Sequence, residues 1–124
     1  MPVNFRFAEL SWEGDSRKVL KEWPKSITAD FGAALYEMQQ GKPSTLSVRP
    51  MTTIGAGVYE LKDSDDKTWY RVIYLARVKD KIYILHCFKK STNKTPIRDL
   101  ATAEQRMKHV LQRLREEKRN AQQQ

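Results

Sequence analysis

This chain has little cysteine, little histidine and no long apolar run, and each shortage excludes something. A single cysteine, Cys87, rules out an internal disulfide and fits a reducing compartment. No apolar stretch approaches the roughly 20 residues that cross a bilayer. Asn4, Arg6 and Glu9 interrupt the N-terminal apolar residues where a signal peptide would need a continuous core. A cytoplasmic protein with no membrane partner is the expectation. His86, His109 and Cys87 do not have metal-ligand spacing, so neither metal nor cofactor is expected. Gly55-Ala56-Gly57 is too short for a phosphate loop and precedes a strand rather than a helix. No Ser/His/Asp or Cys/His pattern stands out.

What is present is positive charge, unevenly placed. The 124 residues carry 23 Lys and Arg against 15 Asp and Glu, a formal charge of +8. Residues 1–88 are nearly balanced, with 13 basic and 11 acidic side chains, whereas residues 89–119 hold 10 basic and 4 acidic. A concentrated basic field attracts nucleic acid, an acidic protein or an anionic surface.

The length fits one domain, placed at residues 1–118, with residues 119–124 read as a disordered tail. Val3, Phe5 and Phe7 alternate with polar or small residues, as in a half-buried strand. Residues 17–23 form a short helix stopped by Pro24. Ser26 then caps a second helix carrying Ile27, Phe31, Leu35 and Met38, which Gly41 and Pro43 end. Residues 42–53 read as a loop. Strands follow at 58–62, 69–78 and 82–88, the last apolar on both faces and therefore central. A final helix begins near Pro96, with Leu100, Ala103, Met107, Val110 or Leu111, and Leu114 at helical spacing. The order is strand, two helices, three strands, helix: an α+β fold.

The candidate site follows from these placements. Arg71 lies inside an apolar strand, where an arginine costs desolvation unless something anionic needs it. Lys62 ends the preceding strand and Lys89 and Lys90 end the following one; Lys94, Thr95 and Arg98 lie at the start of the last helix. Together they form a phosphate cradle. Glu60 shares a strand face with Lys62, while Tyr59 and Leu61 share the other. Tyr59 and Trp69 are candidate stacking surfaces for bases. His86 reads as a hydrogen-bonded core histidine and His109 as exposed. RNA cleavage needs no metal when the RNA's 2′-hydroxyl is the nucleophile. A base must take its proton, cations must stabilise the phosphorane charge, and an acid must protonate the leaving oxygen. A lysine crowded by cations, or Glu60, fits the proton-transfer role. The cradle requires Arg71 and the lysines on one side of the sheet; a guanidinium sealed in the core, or set apart from the lysines on the opposite side, would collapse the nuclease reading built on it.

The blocks Val58-Tyr59-Glu60-Leu61-Lys62, Tyr70-Arg71-Val72-Ile73-Tyr74, Phe88-Lys89-Lys90 and Lys94-Thr95-Pro96 resemble the phage-derived, HigB-type branch of the RelE/ParE toxin superfamily. The resemblance implies a RelE-like fold: an N-terminal strand, a helical hairpin, a mainly antiparallel sheet and a C-terminal helix. It implies the toxin of a type II toxin–antitoxin module, a ribosome-dependent mRNA endonuclease. Arg71 matches the arginine that contacts the scissile phosphate, and Lys62 a basic position on the preceding strand. Lys89, Lys90 and Lys94 fall in the basic segment before the last helix. The implied partners are mRNA, the ribosome and a small antitoxin with a helix-turn-helix, held in a hetero-oligomer. The family's tyrosine in the last helix has no counterpart, since no Tyr follows Tyr83. The ParE branch, which inhibits DNA gyrase, is the rival inside the superfamily. A non-catalytic nucleic-acid-binding module is the rival outside it.

Overall fold

In the computed structural model, which describes residues 7–91 and 95–122, the elements run β1 (Glu9–Trp12), α1 (Ser16–Lys21), α2 (Lys25–Gln39), β2 (Ser47–Pro50), β3 (Val58–Ser64), β4 (Trp69–Val78), β5 (Lys81–Lys90) and α3 (Ile97–Gln122). One sheet holds all five strands in the order β1-β5-β4-β3-β2. Every pairing is antiparallel except β1 with β5. The expected α+β architecture is present, with β5 inside the sheet and apolar on both faces.

Among the described residues the first strand is Glu9–Trp12; Val3 and Phe5 of the expected alternating strand lie outside them. Three expectations need correction. Segment 42–53 is not all loop: β2 lies within it, an edge strand with all four residues exposed. Its proline sits where the sheet ends and no ladder bond is lost. Helix α2 starts at Lys25 with Pro24 at the capping position, so Ser26 lies inside the first turn and caps nothing. The last helix continues to Gln122, past residue 118, although its last buried side chain is Val110.

Alternation along the strands divides the core in two. On one face Leu61, Tyr70, Val72, Tyr74, Ile82, Ile84 and Cys87 pack against Leu20 and Trp23 at the end of α1 and Ile27, Phe31, Ala34 and Leu35 of α2. On the other, Val58, Ile73, Leu75, Tyr83, Leu85 and Phe88 meet Ala103, Met107 and Val110 of α3. Each fully buried large apolar side chain contributes about 1.5–3 kcal/mol. The α3 stripe thus runs through Val110, with Leu111 left exposed.

Polar bonds fix α3 against the sheet. Arg106 donates to the Leu85 carbonyl (3.0 Å) and to Asp15 (2.9 Å), and Arg113 donates to Glu13 (2.8 Å). The Arg106 guanidinium lies where a Cβ on Gly14 would stand, 2.5 Å from its Cζ, and Gly14 has a φ of 55°. The positive φ favours glycine there, and a Cβ would also push the Arg106 guanidinium from its place.

Candidate functional site

The register of β2 to β5 gathers one set of charges. Arg49 pairs with Glu60, Lys62 with Arg71, and Trp69 with Lys90. Directly paired residues point to the same side of a sheet. These six side chains therefore lie on the face that α3 covers only in part. Burial decides their roles.

Arg71 and Glu60 are each 1 % exposed and form an ion pair, Arg71 Nη1 donating to Glu60 Oε1 at 2.5 Å. The same oxygen accepts from Arg49 Nη2 at 3.2 Å, and Glu60 Oε2 accepts from the Thr95 hydroxyl at 3.3 Å. Arg49 is 57 % exposed, so it bridges this buried carboxylate to solvent. On the other side Trp69 carries two cations: Lys62 Nζ lies 5.3 Å and Arg71 Cζ 5.7 Å from its ring centre. Such contacts stabilise by about 0.5–2 kcal/mol.

Lys90 is 8 % exposed, and its Nζ has no hydrogen-bond partner among the described residues. Burial pushes its pKa down to about 8 from the ordinary 10.5; the nearby Arg71 charge pushes the same way, and Glu60 opposes both. An amine held near neutrality can either accept or release a proton at physiological pH.

The predicted site residues divide accordingly. Glu60, Lys62, Trp69, Arg71, Lys90 and Thr95 come together. Lys89 does not: it pairs with Tyr70 and points to the opposite face, exposed. Tyr59 is also on that face, stacked on Tyr74 with ring centres 5.8 Å apart and packed against the α1–α2 core. Arg98 is exposed in the first turn of α3, and Lys94 lies outside the described residues. Arg71 itself is not the open phosphate contact expected of it. It shares a side with Lys62 and Lys90, but its guanidinium is sealed against a carboxylate eleven residues back in the chain, so the expected cradle loses the support it drew from Arg71.

Two features were missed. Arg49 escapes sequence reasoning because β2 is an edge strand with all four residues exposed, and residues 46–51 carry no sustained alternation. A second network lies on the same face. His86 bonds Asp99 through Nε2 (2.7 Å) and Arg106 through Nδ1 (3.3 Å). A guanidinium only donates, so Nδ1 accepts and the proton sits on Nε2, donated to Asp99. His86 is thus the satisfied core histidine expected, and Asp99 occupies the first turn of α3, where a carboxylate favours the helix dipole. The Arg106 hydrogen bond and charge hold the Asp15 carboxyl below its usual range.

Beside the Glu60 cluster, an open groove of about 440 Å³ runs between residues 49–53 and the start of α3. Among the described residues no three His, Cys, Asp or Glu side chains are grouped to hold a metal ion, and no helix is long and apolar enough to cross a membrane.

No curated protein matches the chain. The family model of phage-derived protein Gp49-like (DUF891) matches residues 18–108, which run from within α1 into the first half of α3 and contain every charge of the cluster. The chain therefore belongs to the phage-derived Gp49-like family, a family associated with RelE-like toxins of toxin–antitoxin systems.

Proposed function

We propose that this chain is the toxin of a type II toxin–antitoxin module and that it stops translation by cutting mRNA on the ribosome. One observation carries the reading: beside the buried Arg71–Glu60 pair, Arg49, Lys62 and Lys90 lie on the same partly uncovered sheet face. Their positive charge suits a phosphate. Family membership and the resemblance to HigB-type toxins supply the ribosome and the antitoxin, an acidic partner being the natural complement of this surface.

The burial of Arg71 redistributes the roles. Exposed Arg49 and half-buried Lys62 take the phosphate oxygens and the charge that develops on phosphorus. Arg71 acts through Glu60, holding the carboxylate that orients Arg49. Lys90, with its pKa near 8 but its Nζ closed to water, moves the proton once the face above it opens to the RNA, either from the 2′-hydroxyl or to the leaving 5′-oxygen. Trp69 offers a ring to a neighbouring base. Arg98, Lys89 and Lys94 contribute the long-range field.

The test is to induce the protein in growing cells and map transcript 5′ ends. Codon-phased cuts are expected. Arg49→Ala should reduce cutting by about a hundredfold, as loss of a preorganised charge contact does, with the melting temperature held within a few degrees. Arg71→Ala is a poorer test because it strands a buried carboxylate and unfolds the protein. DNA breaks and an SOS response with intact mRNA would replace this reading with gyrase inhibition.

A further inference from the structure

The groove beside the cluster has a composition of its own. Pro50, Met51 and Leu100 give it an apolar lining, and Thr52, Thr53 and Thr95 add hydroxyls that both donate and accept hydrogen bonds. A flat apolar surface edged by such groups suits a heterocyclic ring with polar edges. At about 440 Å³ it lies toward the low end of ligand pockets.

Arg49 and Thr95 belong to the groove and also bond Glu60 in the cluster. Whatever anion Arg49 holds is therefore in contact with whatever fills the groove. A duplex does not fit this pattern, because its bases are paired and stacked; sequence is read in RNA mainly from unpaired bases turned out of the stack.

We propose that the groove is a base-reading subsite, taking one unstacked nucleobase of single-stranded RNA while Arg49 holds the adjoining phosphate. The inference rests on the RNA-cleavage reading above and adds the element that sets sequence preference. Thr53 is exposed on the turn after β2, so it can be enlarged without disturbing the core.

The experiment measures binding of labelled single-stranded A, C, G and U pentanucleotides to the purified full chain across a salt series. Wild type should prefer one of the four. Thr53→Phe, which fills the groove, should lower affinity for the preferred sequence by about tenfold, the scale of one lost base contact, and level the preference. The slope of log K against log salt should stay unchanged, because that slope counts phosphate contacts. Thr53→Ser should retain the preference. If Thr53→Phe melts early, Thr52→Phe takes its place. Equal affinity of wild type for all four, or an unchanged preference in the folded Phe variant, overturns the subsite and leaves RNA cleavage standing. Absence of both RNA binding and transcript cuts in wild type overturns both.

Discussion

Two groups of charges share the α3 side of the sheet and follow opposite rules. Around Arg106 the charges meet their opposites, Arg106 with Asp15 and Arg113 with Glu13, while the His86 ring donates to Asp99. Around Glu60 a single carboxylate serves Arg49 and Arg71, with the Lys90 amine buried nearby. The first arrangement fastens a helix to a sheet. The second spends stability to keep positive charge uncompensated, and such expense tends to mark a site of action. Burial alone does not separate the two, since both contain side chains nearly closed to water; the balance of charge does.

The contrast can be broken most forcefully at Glu60. Glu60→Gln removes the buried carboxylate that pairs with Arg71 and should destabilise the protein by about 3–5 kcal/mol in urea unfolding. A loss below about 1 kcal/mol would mean that water or another group neutralises Arg71. Lys90 gives the next largest effect, and its sign is set by linkage. Its folded pKa of about 8 lies below the ordinary 10.5, so between these values the unfolded chain binds more protons. Stability attributable to Lys90 therefore rises with pH from about 8 towards 10.5, and below 8 its full cost is felt. The span is on the order of 3 kcal/mol. Lys90→Met should be more stable than wild type at pH 7 and lack this rise, while losing activity. In the balanced network, Gly14→Ala forces a strained backbone and displaces Arg106, for an expected loss of about 2 kcal/mol with activity retained in the folded fraction. The smallest change is Thr95→Val, which removes one hydrogen bond to Glu60 and should cost under about 1 kcal/mol.

Much of this was readable in the amino-acid order. Strands at 69–78 and 82–88 and the α3 stripe follow from periodicity, because a buried face imposes its spacing on the sequence. Alternation also placed Glu60 and Lys62 on one face and Tyr59 on the other. It did not choose between Lys89 and Lys90, since a bulge in β5 and the strand's true end set which of them faces the cluster. Strand β2 was hidden because an edge with four exposed residues has no buried face to imprint a pattern. The apolar neighbours of Arg71 did announce a buried arginine in need of an anion. They could not announce that the anion was Glu60, because a cross-strand partner is fixed by register.

The enclosed Lys90 amine has a consequence for chemistry in the flask. An amine that sheds its proton near pH 8 is a nucleophile there, whereas ordinary surface lysines remain almost wholly ammonium. An acylating reagent can reach it only when the sheet face parts. The speed of its acylation at pH 8, read by mass spectrometry, would therefore time the opening of the protein.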